Sequence, residues 1–430
     1  MQKTADKRIV ITGMGVVAPN AIGLFDFEQA LRAGRSGIQH HPQLAELKFG
    51  CQIGGLPPVD EEIKNQYFSP LELRSLKATG ILYGVMAGID AWKDAGLATP
   101  EEKDSPPDWG SACFFGAGLA GAEVVRDAAY FIDQQQVKRL GSTTVPQVMS
   151  SGVSAFLGGR LGLGNQIMTN ASACSTGTES ILLGYRHLQL GLAERVLCGS
   201  CDSGGPYVWG GFDAMRVMTR KSNDQPEAGS RPLSATAAGF VPGSGAGALV
   251  LETLASAKKR SARIYAEVLG GAINSGGQQQ GGTMTAPNRQ GIVRCIQDAI
   301  QHAGIKASDI DAISGHLTST MFDPIEVEQW TVALKRAGKD FPYISSLKSM
   351  IGHCLSAAGA IESVAVVLEL VNGFLHPSLN CEDLHPEVAR HIAPERIPQR
   401  MIETPLNIIA KSSFGFGDVN SCVLFKKYQQ

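Results

Sequence analysis

The chain has 430 residues, 43% hydrophobic and 18% charged, with a formal net charge of −2. That length supports a sizeable core in one large domain or two ordinary ones, and the near-neutral balance excludes a global basic field for nucleic acid or an anionic membrane. Nine cysteines scattered along the chain predict neither a disulfide framework nor a metal site, and fit a reducing cytoplasm.

Met1 to Arg8 is polar, without the apolar core of a signal peptide, and no apolar stretch reads as approaching the roughly 18 residues of a membrane span. Arg8–Val17 predicts a buried strand ending in glycines, and Leu24–Ala33 a helix. Ser69–Gly96 reads as one long helix carrying Arg74 and Lys77 about one turn apart. Trp109–Gly118 reads as a second strand, Val124–Leu140 as a basic-edged helix, and Val145–Gly164 as a buried helix beneath the segment that follows. A short strand over Gln166–Asn170 leads to Cys174 and the apolar run Ser180–Leu192, after which Arg195–Ser200 is a strand and Tyr207–Pro232 an irregular loop at a substrate entrance. Gly239–Glu252 is a glycine-rich turn into a strand. It lacks the following helix and the Lys-Ser or Lys-Thr of a phosphate loop, so it predicts close strand packing.

Arg263–Gly271 echoes the opening strand and its paired glycines, which suggests a duplicated α/β unit with halves 1–262 and 263–430. The second half alternates helix Gly291–Ala303, strand Ile310–Gly315, helix Pro324–Gly338, strand Phe341–Ser345 and helix Ser356–Asn372. It closes with strands Leu406–Ser412 and Ser421–Lys426, after an irregular connection over Phe374–Met401.

Three segments share the order strand, reactive group, helix. Cys174, flanked by small residues at the first turn of a helix, is placed where unpaired N–H groups favour a thiolate. His316 follows a strand and precedes Thr318, Thr320 and an Asp-Pro helix start. Lys348 and His353 stand five residues apart before a helix of small residues. Each alone is more often a packing residue; three strand ends bearing Cys, His and His, with a Lys beside the last, are much harder to dismiss as packing.

These residues resemble the elongating β-ketoacyl-acyl carrier protein synthases of the thiolase-fold condensing enzymes. The resemblance runs from Val10-Ile-Thr-Gly-Met-Gly-Val-Val17 to Phe414-Gly-Phe416-Gly-Asp-Val-Asn420. It implies an α/β thiolase fold in five layers, α-β-α-β-α, made of two similar halves. It implies an acyltransferase of fatty acid, polyketide or polyene biosynthesis that needs no bound cofactor, phosphopantetheine arriving on the carrier protein. A homodimer is the expected assembly, with a heterodimer containing a related chain left open. By the same resemblance Cys174 carries the acyl group, His316 and His353 stabilise the enolate formed when a malonyl thioester loses carbon dioxide, and Lys348 supports them through Glu362. The backbone N–H groups of Cys174 and Phe416 form the oxyanion hole, and Phe416 is also the gate. Thr318 and Thr320 hold the pantetheine arm, Phe212 and Phe240 border the acyl channel, and Arg216, Arg74 and Lys77 are candidates to meet the acidic carrier.

The chain departs from the family pattern at three places. His316-Leu317-Thr318-Ser319-Thr320 replaces His-Gly-Thr-Gly-Thr, Gly415-Phe416-Gly417-Asp418 replaces Gly-Phe-Gly-Gly, and Gly243-Ser244-Gly245-Ala246-Gly247 replaces a Gly-Glu-Gly-Ala-Gly turn. Leu317, Ser319 and Asp418, at positions the family fills with glycine, are expected to narrow the loops around the pantetheine tunnel or change their mobility, as in a specialised pathway. A degradative thiolase would need a second catalytic cysteine in a glycine loop, whereas Cys422 lies in the last strand. The alternative from another class is a non-catalytic chain-length partner of a ketosynthase, which the presence of Cys174 opposes.

Overall fold

The computed structural model describes residues 8–100 and 105–429, so the polar segment Met1–Lys7 lies outside them. Ten strands form the main path of one sheet: β1 (Ile9–Ala18), β2 (Ser111–Ala117), β3 (Ile167–Met168), β4 (Arg195–Asp202), β5 (Gly245–Thr253), β6 (Ala266–Ser275), β7 (Ala312–Ser314), β8 (Tyr343–Ser345), β9 (Ile408–Gly415) and β10 (Val419–Lys427). Their spatial order is β8-β7-β9-β10-β6-β1-β5-β4-β2-β3, and Ala21–Ile22 pairs with β1 off this path.

That order contains a repeat. In the first unit β3, β2 and β4 run parallel, then β5 and β1 follow antiparallel. In the second, β8, β7 and β9 run parallel, then β10 and β6 follow antiparallel. The two units meet where β1 pairs antiparallel with β6. The expected division at 262/263 falls between β5 and β6.

Seven helices pack on this framework: α1 (Thr79–Asp94), α2 (Gly152–Leu161), α3 (Thr176–Gln189), α4 (Pro206–Ala214), α5 (Arg289–Ala303), α6 (Asp323–Leu334) and α7 (Ala358–Asn372). Helices α1 and α2 cover the outer face of the first unit, and α5, with α6 against it, covers that of the second. Helices α3 and α7 lie between the units and touch strands of both, which completes the five layers. They cross backbone to backbone at Gly177 and Gly359: a Cβ at Gly359 would lie 2.6 Å from the Thr178 N, and one at Gly177 would collide with the Ala360 N.

Several expected elements differ. The single helix over Ser69–Gly96 is broken into Pro70–Ser75 and α1, because the buried Gln147 side chain accepts from the N–H groups of Lys77 and Ala78 at 2.6 and 3.0 Å and donates to Ser75 O. Arg74 and Lys77 therefore do not share a helix. The stretch Val124–Leu140 is a helix over Ala122–Asp133 followed by a short 3-10 turn, Val137–Arg139. Trp109 stands outside the second strand and is 71% exposed. The expected buried helix Val145–Gly164 splits into Thr144–Val148, with Val145 exposed, and α2, which packs on α1 and β2 in an outer layer and not beneath Cys174. Part of the supposed loop Tyr207–Pro232 is α4, started by Pro206 in its first turn. Contrary to the sequence reading, Leu355–Asn372 is long and apolar enough to cross a membrane by length and composition. It is 89% buried inside the fold, where its central position demands that apolarity.

Candidate active site

The three reactive groups and Lys348 stand just beyond the C-terminal ends of parallel strands, where side chains from both units converge. Between β3 and α3, Ala173 turns into the left-handed region at φ +48°, which projects Cys174 at the mouth of the helix. The turn is held by Ser172 N donating to Thr176 Oγ1 at 2.8 Å and Thr176 Oγ1 donating to Ala173 O at 2.7 Å. Helix α3 begins only at Thr176, so Cys174 precedes its first turn and does not occupy it. Burial pushes the Cys174 thiol up to about 11, against the pull of Lys348 and the Phe416 N–H. The expected spontaneous thiolate is thus overruled by desolvation.

His353 Nε2 lies 3.1 Å from Cys174 Sγ. Its Nδ1 accepts from Leu355 N at 3.1 Å, so the neutral ring carries its proton on Nε2, facing the sulfur. His316 stacks edge-on to His353 with ring centroids 5.3 Å apart, and candidate donor atoms of Cys174, His316 and His353 all lie within 4.8 Å of one another. Burial, then Lys348, holds both imidazoles well below their ordinary value.

Behind the histidines, Lys348 Nζ meets Glu362 Oε1 at 2.5 Å, both residues being fully buried. The other carboxylate oxygen of Glu362 meets Lys411 Nζ at 2.8 Å, a contact the sequence reading did not anticipate. Burial would raise the Glu362 carboxyl, but the two lysines hold it below its ordinary value. Two further acids hold the loop after His316: Asp323, which the sequence offers as a helix start, and Glu326, which it does not single out. Glu326 accepts from His316 N and Leu317 N at 2.7 and 2.8 Å, and Asp323 from Thr318 N and Ser319 N at 2.8 and 3.0 Å. These carboxylates fix the His316 loop from the first turn of α6.

A cavity of about 510 Å³ opens on these groups. Thr318 and Thr320 line it with hydroxyls 3.0 Å apart, and Phe212, Phe240 and Phe416 form an aromatic wall with centroid separations of 5.6 and 6.2 Å from Phe212. Arg216 also lines it. Arg74 and Lys77 do not, and the Lys77 ammonium is turned onto Leu73 O.

The glycine replacements do not constrict this cavity as expected. Leu317 at φ +20° points into the apolar core around Trp330 and Ile344, and Ser319 at φ +64° is fully buried and accepts from Arg231 N at 2.9 Å. Neither lines the cavity. Asp418 at φ +61° acts on loop order: its carboxylate accepts from Asn288 N at 2.8 Å and Gln278 N at 2.9 Å, while Gly417 N donates to Met284 O at 2.8 Å. The turn bearing Phe416 is thereby tied to loop 276–288, which supplies Thr285 and Pro287 to the cavity wall.

Comparison with known proteins agrees with this architecture. The chain matches the family "Beta-ketoacyl synthase, N-terminal domain" over residues 6–257 and "Beta-ketoacyl synthase, C-terminal domain" over 265–382. It is 31% identical over 433 residues to 3-oxoacyl-[acyl-carrier-protein] synthase 2 of Vibrio cholerae, covering 98% of this chain and 99% of that one. Among solved structures, the ishigamide ketosynthase/chain length factor superposes with a TM-score of 0.87 at 27% identity, over 99% of this chain and 100% of its own. A type II polyketide ketosynthase solved with its acyl-carrier protein, AntDE:AntF, gives 0.85 at 26% identity, with the same coverage of both chains. With two family domains matched across most of its length and the thiolase fold in place, the chain belongs to the β-ketoacyl synthase family of condensing enzymes.

Proposed function

We infer that this 3-oxoacyl-acyl carrier protein synthase works through Cys174, His316 and His353, with Lys348 and Glu362 behind them. The convergence of the Cys174 sulfur with both imidazoles at the floor of an apolar-walled cavity carries this reading. Cys174 sulfur attacks the acyl thioester, a new C–S bond forms, and the carrier's pantetheine thiol leaves with the proton that Cys174 gives up. Malonyl thioester then enters. Loss of carbon dioxide leaves an electron pair as an enolate, whose oxygen is stabilised by N–H donors from His316 and His353. The enolate carbon attacks the acyl carbonyl, and the C–S bond to Cys174 breaks. The chain is released two carbons longer as a β-ketoacyl thioester. In both attacks the oxyanion rests on the N–H groups of Cys174 and Phe416; the end of β9 at Gly415 runs beside the Cys174 N–H, 3.1 Å from the Cβ that another residue would carry.

The partner is an acyl carrier protein, with Arg216 at the cavity as its contact and Thr318 and Thr320 along its pantetheine arm. Arg74 and Lys77, outside the cavity, are weaker contacts. Exposed apolar residues on Ala122–Asp133 and Thr144–Val148, among them Val125, Ile132 and Val145, give a face for a second subunit, and a homodimer is the expected assembly. All nine cysteines are free thiols, which fits a reducing, cytoplasmic setting. Of the replaced glycines only Asp418 bears on the cavity, through loop 276–288, and this altered rim supports a specialised polyketide or polyene substrate.

The test is intact-protein mass after incubation with acyl-carrier donors, followed by malonyl-carrier and product analysis. An adduct on Cys174 that disappears as a two-carbon-longer product forms supports the reading. Absence of any adduct with any donor refutes it and favours the non-catalytic partner.

A further inference from the structure

Lys411 is a fully buried lysine in the middle of β9, a strand whose other residues are apolar or small. A lysine is almost never fully buried unless it is paired. Its ammonium lies 2.8 Å from Glu362 Oε2, donates to Ser412 O, and lies 3.2 Å from Ser413 Oγ. Glu362 therefore bridges two ammonium groups, Lys348 on one oxygen and Lys411 on the other.

The same contacts reach every part of the site. Ser413 Oγ meets Thr178 Oγ1 at 2.9 Å on α3, and Ser413 O accepts from Ser175 Oγ at 3.1 Å, next to Cys174. Ser412 Oγ donates to Glu326 Oε1 at 3.2 Å, the oxygen that also receives His316 N. Three residues beyond Ser413, the same segment supplies the Phe416 N–H.

We propose that Lys411 is a positioning residue of the condensing site, a second ammonium that shares Glu362 with Lys348 and sets the net charge beneath the two histidines. This rests on the ketosynthase reading above. The charged and titratable groups around the imidazoles are Cys174 before α3, Asp202 at the end of β4, Glu326 on α6, Lys348 after β8, Glu362 on α7 and Lys411 on β9, besides the histidines themselves. The two lysines balance the carboxylates Glu326 and Glu362, while Asp202 is held separately by the N–H groups of Leu119 and Ser356 at 2.9 and 3.1 Å, and the histidines stay neutral. Removal of Lys411 leaves an excess of buried negative charge beside the histidines, which favours a proton on each imidazole. A protonated His353 would turn an Nδ1–H against the Leu355 N–H and lose the hydrogen bond that aims its ring. Burial first, then Lys348 and, for His316, the neighbouring His353 hold the imidazoles low, and Lys411 adds to this in the same direction.

The experiment compares wild type with Lys411→Met on the full chain, and reads two quantities. The first is the NMR titration of ring-labelled His316 and His353. The second is the pH dependence of kcat/KM for condensation, with Cys174 loading followed by mass. In Lys411→Met the imidazole midpoint and the acid limb should move to higher pH by about one unit, so that the rate at a fixed pH on that limb falls about tenfold. The double variant Lys411→Met/Glu362→Gln, which removes one charge of each sign, should bring the midpoint back. Lys411→Gln carries the same expectation and is the variant to use if the methionine form does not fold. An unmoved midpoint in the single variant, or the same displacement in the double one, overturns the proposal. Because the histidine titration needs no turnover, failure of the ketosynthase reading would show separately, as absence of product from wild type.

Discussion

Replacing Asp418 by glycine, the residue that the family pattern would put there, should loosen the active-site rim even though it relieves backbone strain. Asp418 sits at φ +61°, a conformation that costs a non-glycine residue about 1–2 kcal/mol. Against that relief stand two lost acceptors. The Asn288 N–H is buried and would be orphaned, at about 1–3 kcal/mol. The Gln278 N–H is exposed and can turn to water, at about 0.5–1.5 kcal/mol. Central values leave a net loss of about 1.5 kcal/mol, roughly a tenfold rise in local opening. Asp418→Ala keeps the strain and loses both acceptors, so it should open about 3 kcal/mol more easily than wild type. Native-state hydrogen exchange at the amides of loop 276–288 measures both. Equal opening by the glycine and alanine variants would remove the strain argument, and unchanged exchange in both would show that Asp418 does not anchor the loop.

Cys174→Ala should show no acyl adduct by mass, whereas His316→Ala and His353→Ala should load and lose condensation by about 10²–10³-fold; normal condensation by either histidine variant contradicts the roles given. Because the Cys174 thiol lies near 11, its alkylation by iodoacetamide should climb close to tenfold per pH unit from neutrality upward, with thiolate only about one part in a thousand near pH 8. A plateau below about pH 9 would mean that the helix end outweighs burial. Phe212→Ala opens the aromatic wall and should shift loading toward longer acyl donors in competition assays, and an unaltered preference would place the acyl channel elsewhere.

The order of strands and helices was legible because each strand is apolar and each crossover helix has its own periodicity, so Leu24–Ala33 is found with the expected bounds. Breaks were not legible where a distant side chain makes them. Gln147 interrupts Ser69–Gly96 from 70 residues away, and no local pattern announces that. Cys174, His316, Lys348 and His353 stood out because each follows a strand. Lys411 did not, although a lone lysine between Ala410 and Ser412 in an apolar strand asks for a buried partner, and that question would have led to Glu362. Leu317 and Ser319 were misjudged because sequence gives the presence of a side chain and not its direction; both keep a glycine-like backbone and turn away from the cavity.

The crossing of α3 and α7 at Gly177 and Gly359 separates what sets dimensions from what sets taste. Cys174 leads into one helix and Glu362 rides on the other, and their separation is registered by main-chain atoms in contact, which no exchange of cavity side chains can alter. The wall of Phe212, Phe240 and Phe416 can therefore be resurfaced for a different acyl group while the reacting atoms keep their spacing. A single methyl at either glycine would act as a wedge under the whole site, and displacements of about 1 Å are worth up to 10² in rate. Variation that redirects this scaffold to new chains is thus free at the wall and barred at two backbone points that do not line the cavity.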